Sequence, residues 1–236
     1  MLAQDIEPFV DQHQVPYCRT PRGEHYEILP VDGNDFGDWL GWLLYQHDGC
    51  TCADKTLEPA RRVLRAKAKF EGTRHRLQNR TAWDAAGALW YDLTDDQWRA
   101  VKVTPEGWTI KETPPILFRR YAHQRPQVEP VQVTLAQAPK VLERVFDFVN
   151  LQGDANRFIF TVYLVSLLVA DIAHPIPVLH GEQGSGKTFT LKAVRQLVDP
   201  STVSTLATPW KSDEFVQQLA HHWCAFYDNL ASLSDW

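Results

Sequence analysis

The stretch IPVLHGEQGSGKT at residues 176–188 decides the fold that this sequence predicts. A short apolar run leads directly into the pattern G-x-x-x-x-G-K-[ST], whose glycine-rich backbone can wrap a polyphosphate with its N–H groups pointing inward. The pattern assigns eight residues to this loop: Gly181, Glu182, Gln183, Gly184, Ser185, Gly186, Lys187 and Thr188. We therefore predict that the loop binds a nucleoside triphosphate.

Two residues of this loop have separate chemical tasks. Lys187 can place a positive charge near the β- and γ-phosphates, and the hydroxyl of Thr188 can bind Mg²⁺. Apolar residues recur at helical spacing over residues 189–198 until Asp199 and Pro200 end the pattern. The start of that helix would face the same anion with its positive dipole end. The predicted cofactors are ATP and Mg²⁺.

A second candidate site follows the apolar stretch at residues 223–227. Asp228 comes directly after it, at the place where a P-loop protein needs a carboxylate to hold magnesium. The next residue, Asn229, carries an amide that can orient a water molecule but cannot accept its proton. We predict that Asp228 is a metal ligand and that Asn229 positions water, and the general base stays unassigned. The competing interpretation of Asp228 is a capping residue after a buried strand.

The elements between these sites predict the fold class. A helix follows the loop, a short strand is expected at residues 203–206, a second helix at residues 212–220, and a last strand at residues 223–227. Alternating strands and helices predict an α/β protein in which the strands are parallel. We assign this P-loop NTPase core to residues 140–236.

The remaining chain predicts three further regions. Residues 1–35 hold several prolines and glycines without helical periodicity, so we expect an irregular lead-in. Residues 36–112 combine two helical patterns with short β-prone segments between turns, which indicates a small α+β accessory domain with an antiparallel sheet. Residues 113–139 are polar and proline-bearing, as is typical of a linker.

Composition and charge limit the possible partners. The chain has 236 residues, 44% of them hydrophobic, and a formal net charge of −5, which argues against a protein that coats nucleic acid by bulk electrostatics. The apolar run within the helix expected at residues 155–170 is shorter than the roughly 20 residues that a membrane span needs. We expect a core helix there, no membrane contact and a cytoplasmic protein.

A local basic stretch between residues 55 and 80 could bind nucleic acid despite the negative net charge. It contains Lys55, Arg61, Arg62, Arg65, Lys67, Lys69, Arg74, Arg76 and Arg80. A basic helix can follow a DNA backbone while nearby aromatic rings stack on bases. The competing interpretation, which we favour at this stage, is an ordinary solvated helix face.

The motifs at residues 181–188 and 223–236 together resemble the ATPase core of helicases and primase-helicases of phages and integrated mobile elements. These are P-loop ATPases of the AAA+ and superfamily 3 type. The stretches at residues 80–82, 90–93, 107–108 and 118–120 are similar to the region that precedes the ATPase in those proteins. The resemblance implies ATP hydrolysis, a homo-oligomeric ring that acts on single-stranded or forked DNA, and a role in DNA replication. It also allows an Asp-Asn pair at the magnesium strand.

In that family, a strand with a polar sensor residue and an arginine finger follow the magnesium strand, whereas this sequence stops at Trp236. The sensor strand would insert between the loop strand and the Asp228 strand. We therefore expect a parallel core that is incomplete at its C-terminus, from a truncated chain. The alternative is a smaller P-loop class in which those two strands are direct neighbours.

Three functions remain open at this stage. The first is the motor of a DNA helicase or primase-helicase. The second is a small-molecule kinase or another P-loop phosphotransferase, which would predict a phosphorylated product and no effect of DNA. The third is a non-catalytic fragment that nucleotide only stabilises.

Overall fold

The computed structural model describes residues 6–230. The chain divides into two compact units, and each is built from two separate stretches of sequence. The first unit comprises Met1–Gln78 with Lys111–Arg119, and the second comprises Asn79–Ile110 with Arg120–Trp236.

The first unit begins with an antiparallel sheet of three strands in the order β1-β2-β3. The strands are β1 (Glu7–Val10), β2 (Pro16–Arg22) and β3 (His25–Pro30). A two-residue turn joins β2 to β3, and Gly23 occupies it with a φ of 62°, a conformation that glycine adopts without steric cost. The irregular lead-in predicted for residues 1–35 is therefore wrong, since three strands form between residues 7 and 30.

Two helices complete the first unit, α1 (Asn34–Asp48) and α2 (Asp54–Phe70). Both lie where the apolar periodicity predicts helices. One face of each helix packs on the three-stranded sheet, because apolar side chains from all these elements form one core. Its buried members are Cys18, Leu29, Val31, Phe36, Trp39, Leu40 and Leu64.

A second antiparallel sheet has four strands in the order β4-β5-β6-β7. The strands are β4 (Thr81–Trp83), β5 (Leu89–Asp92), β6 (Ala100–Thr104) and β7 (Gly107–Lys111). Turns connect β4 to β5 and β6 to β7, and a loop at residues 93–99 connects β5 to β6, in agreement with the β-prone segments and turn signals of the sequence.

The other regular elements of the second unit are helices. Its elements are α3 (Ala138–Glu143), a 3₁₀ turn (Arg144–Asp147), α4 (Asp154–Ser166), α5 (Lys187–Val198) and α6 (Ser212–His221). Helices α4 and α5 share a core with the chain that precedes Asp228. The buried members of that core are Val149, Phe160, Leu164, Leu167, Val194, Val198, Cys224 and Phe226. No helix in residues 6–230 is long and apolar enough to cross a membrane.

The predicted parallel core is wrong. The two sheets found in residues 6–230 are both antiparallel, and none of the segments 176–179, 203–206 and 223–227 forms a strand. A single parallel bridge, Leu206↔Tyr227, joins the last two of these segments. Residues 176–178 are exposed, Leu179 is half-buried, and the segment 176–179 makes no strand pairing with any described residue. An apolar sequence becomes a strand only where a neighbouring backbone satisfies its N–H and C=O groups.

Candidate nucleotide site

The loop before α5 has the backbone shape that its glycines predict. Gly181, Gly184 and Gly186 have φ values of 145°, 84° and 88°, in the region that residues with a Cβ rarely adopt. A Cβ added at Gly184 or Gly186 would meet no atom, so the backbone conformation rather than lack of space requires glycine there. Residues 181–186 are exposed to solvent, which leaves the loop open to a ligand.

Lys187 is the first residue of α5 and folds back over the loop. Its Nζ donates hydrogen bonds to the carbonyl oxygens of Gly181 (2.9 Å) and Glu182 (2.8 Å) and to Oγ of Ser185 (3.2 Å). The ammonium group is thereby held above the loop by neutral acceptors. An anionic phosphate is a stronger acceptor for this group. The first N–H groups of α5 have no partner within the helix and are available to the same anion.

Thr188 and Asp228, the two predicted magnesium ligands, lie in direct contact. Oγ1 of Thr188 donates a hydrogen bond to Oδ2 of Asp228 over 2.8 Å. Both side chains are partly buried. A hydroxyl and a carboxylate are hard oxygen ligands, and Mg²⁺ prefers few protein oxygens together with phosphate oxygens. This pair therefore fits a magnesium ion that accompanies a nucleotide.

Two features fix the position of Asp228: backbone hydrogen bonds to Leu206, and the packing of the residues before Asp228 into a core. The N–H of Asp228 donates to the carbonyl of Leu206 (3.2 Å), and the N–H of Leu206 donates to the carbonyl of Phe226 (2.7 Å). Burial alternates before Asp228, since Cys224 and Phe226 are buried whereas Ala225 is less so. Residues two apart on extended chain share a face, so Asp228 follows the buried residues toward α5.

Asn229 supports the carboxylate through its backbone. Its N–H donates to Oδ1 of Asp228 over 2.9 Å. Its φ of 57° is left-handed, a conformation that Asn tolerates better than most residues. The two oxygens of Asp228 thus accept from Asn229 and Thr188, and the role of the Asn229 side chain in positioning water stays a prediction.

A buried ion cluster that no sequence motif predicts lies around the C-terminal end of α5. The side chains of Arg80, Arg195 and Asp199 are almost fully buried. Asp199 Oδ1 accepts from Arg80 Nε over 3.0 Å, and Oδ2 lies 3.6 Å from Arg195 Nη2. Burial lowers the pKa of Arg195, and Asp199 opposes that effect. One carboxylate therefore faces two guanidinium groups.

The basic stretch of the sequence is not a single surface. The assignment of Arg80 to a basic surface is wrong, because Arg80 lies in the second unit and is buried rather than exposed. Its guanidinium donates to oxygen atoms of Asp199, Asp92, Thr94, Arg125 and Pro200. In the first unit, Arg65 pairs with Asp32 and Arg61 donates to the carbonyl of Gly33. The exposed members are Lys55, Arg62, Lys67, Lys69, Arg74 and Arg76.

A comparison with known protein families finds no matching family model, and comparisons with curated proteins and with solved structures find no similar protein. The chemistry of the loop, of α5 and of the Asp228 segment is therefore what indicates a function. Function belongs to such a site rather than to a fold, since one fold hosts many activities.

Proposed function

We propose that this chain binds Mg·ATP through residues 181–188 together with Asp228 and that it is an ATP hydrolase. The observation that carries this proposal is the 2.8 Å hydrogen bond from Thr188 to Asp228, because the loop motif and the second carboxylate are far apart in sequence. The proposal does not require a parallel sheet. It requires a glycine-rich loop at a helix start and two oxygen ligands beside it.

Each residue of the site has a chemical task in this proposal. Lys187 exchanges its loop carbonyl acceptors for phosphate oxygens and so stabilises negative charge on the phosphates. Thr188 and Asp228 supply the protein oxygens for Mg²⁺, which offsets the phosphate charge when bound. Asn229 orients the attacking water through its amide. The exposed loop admits the nucleotide without a rearrangement of the buried core.

We further propose that the ATPase is the motor of a DNA helicase or primase-helicase of the phage or mobile-element type, working as a homo-oligomeric ring. The resemblance of the motifs at residues 181–188 and 223–236 supports this assignment. Exposed basic side chains on α2 and after it offer contacts to the phosphates of single-stranded or forked DNA. Because the net charge is −5, such contacts would be local.

Steady-state hydrolysis of Mg·ATP, measured with and without single-stranded DNA, tests this function. We expect turnover that DNA stimulates, and loss of turnover in Lys187→Ala. Lys192→Ala is the matched control, since Lys192 is exposed on the same helix away from the loop and should keep wild-type turnover.

The same assay distinguishes the other candidate functions. Phosphorylation of an added acceptor without any effect of DNA would indicate a small-molecule kinase instead. Nucleotide binding without turnover in either condition would indicate a non-catalytic nucleotide-binding fragment. Equal activity in wild type and Lys187→Ala would contradict the site assignment itself.

A further inference from the structure

Helix α5 and the segment 224–228 are joined at two places. Near the start of α5, Thr188 donates to the Asp228 carboxylate, and near its end Arg195 Nη1 donates to the carbonyl oxygen of Cys224. Thr188 and Arg195 lie about two helical turns, or about 10 Å, apart along the axis. Four residues of extended chain cover at most about 13 Å. The segment is therefore long enough to reach both contacts, and fixing one of them limits where the other can lie.

Asp199 adds a second hydrogen bond to Cys224, near the C-terminal end of α5. Its Oδ2 accepts a hydrogen bond from the backbone N–H of Cys224 over 3.2 Å. The N–H and the C=O of Cys224 are thus both bound by charged side chains, Asp199 and Arg195. Arg195 also donates to Nδ1 of His222 over 2.8 Å, which fixes the chain just before the segment. A backbone that is held at both polar groups cannot slide along the helix.

The packing between the two contacts depends on the same register. The ring of Phe226 is buried, and the guanidinium carbon of Arg195 lies 5.7 Å from its centroid. In extended chain, a slip by one residue turns every side chain to the opposite face. Such a slip would move Phe226 out of the core and turn Asp228 away from Thr188.

We infer that Arg195 and Asp199 are positioning residues that hold the segment 224–228 in the register at which Asp228 meets Thr188. Neither residue touches the nucleotide loop. They act on the magnesium ligand through the backbone of Cys224. The functional part of this inference rests on the proposed Mg·ATP site, whereas its structural part does not.

The charges of the cluster provide a matched pair of variants. Asp199 faces two guanidinium groups, so Arg195→Met leaves the one-to-one pair of Arg80 with Asp199, and Arg80→Met leaves the pair of Arg195 with Asp199. Each variant removes one buried guanidinium from the same carboxylate. Of these two arginines, Arg195 is the one that contacts the backbone of Cys224 and the ring of Phe226.

A magnesium titration tests the functional part. Binding of a fluorescent ATP analogue is followed as Mg²⁺ is added to the full chain. Because residues that orient metal ligands typically change metal affinity by about 10- to 100-fold, Arg195→Met should raise the half-saturating Mg²⁺ concentration about tenfold or more. Arg80→Met should leave that concentration near the wild-type value. Arg195→Lys can still donate to the Cys224 carbonyl and should fall between wild type and Arg195→Met.

Hydrogen exchange without nucleotide tests the structural part. Amides of residues 222–228 should exchange faster in Arg195→Met than in Arg80→Met. If either Met variant does not fold, Arg195→Lys and Arg80→Lys replace the pair in this comparison. An unchanged magnesium titration in a folded Arg195 variant, or an equal effect of Arg80→Met in both experiments, would overturn the inference. If wild type binds no Mg·ATP, the proposed function fails, and the exchange rates still decide whether Arg195 holds the segment.

Discussion

The segments 176–179 and 224–228 are both rich in apolar residues and each lies next to or within the candidate site, yet their structures differ. Ile176 and Val178 are 90% and 78% exposed, whereas Cys224 and Phe226 are 7% and 6% exposed. The later segment packs against α5 and makes backbone hydrogen bonds with Leu206. The earlier segment makes no strand pairing with the described residues.

This difference shows which side of the molecule holds the candidate site together. The loop keeps its shape through glycine conformations and through the hydrogen bonds of Lys187 to its own carbonyls, without a paired strand before it. Asp228, in contrast, depends on a core and on buried charges. The geometry of Thr188 and Asp228, the proposed magnesium ligands, therefore comes from α5 and the segment 224–228.

The largest expected effect is on the packed segment. Phe226→Ala removes a buried ring from the core shared with α4 and α5, so we expect a loss of about 3–5 kcal/mol in the free energy of unfolding. Denaturant unfolding of the full chain measures it. A loss below about 1 kcal/mol would show that this side chain does not support the core as described.

The second effect separates metal binding from stability. Asp228→Asn keeps an oxygen that can accept from Thr188 but removes the charge that attracts Mg²⁺. We expect the half-saturating Mg²⁺ concentration for nucleotide binding to rise by at least about tenfold, while the free energy of unfolding changes by about 1 kcal/mol or less. Calorimetric titration and denaturant unfolding check the two halves. An unchanged magnesium requirement would mean that Asp228 is only a capping residue.

The third effect is a pH dependence of the packed segment. Burial, then the nearby His123 and Arg195, lowers the pKa of His222 from 6.5 to about 4. Since the unfolded chain takes up a proton near pH 6.5 and the folded chain does not, stability should be full above that pH and fall as the pH drops toward 4. Burial also lowers the pKa of His123, so His123 should contribute to the same loss of stability at low pH.

Unfolding measured between pH 7 and pH 4 tests this dependence. In His222→Gln, which cannot take up a proton, the fall in stability should be shallower than in wild type. Identical pH profiles of the two proteins would show that His222 does not stay neutral in the folded chain.

The smallest effect is expected in the exposed segment. Val178→Ala removes atoms that are already in water, so the free energy of unfolding should change by no more than about 0.5 kcal/mol. It is the control for Phe226→Ala in the same unfolding assay. A loss as large as that of Phe226→Ala would mean that segment 176–179 is packed in solution.

Local sequence signals predict four of the helices and the four-stranded sheet. Helical periodicity places α1, α2, α5 and α6, and the turn signals after residue 80 place the four-stranded sheet. The N-terminal sheet escapes prediction because β2 contains Pro16 and Pro21, and prolines argue against a central strand. The parallel core fails for a different reason, since apolar runs do not show whether a neighbouring strand is available.

The two parts of the site were predictable to different degrees. The loop has a recognisable residue pattern just before a helix, and Asp228 is a recognisable carboxylate just after an apolar stretch. The buried cluster has no such pattern, because Arg80 and Asp199 are 119 residues apart and each is polar in isolation. Only the folded chain shows that Arg80 belongs with Asp199 rather than with the exposed basic side chains of α2.

The most direct test of the account is the thermal stability of the full chain with Mg·ATP, compared with ATP plus a chelator. A ligand at 100 times its dissociation constant stabilises the folded state by about 2.7 kcal/mol, so Mg·ATP should raise the melting temperature of wild type by several degrees. The same nucleotide should not raise that of Lys187→Ala. Absence of a shift in wild type, or an equal shift in Lys187→Ala, would contradict the proposed site.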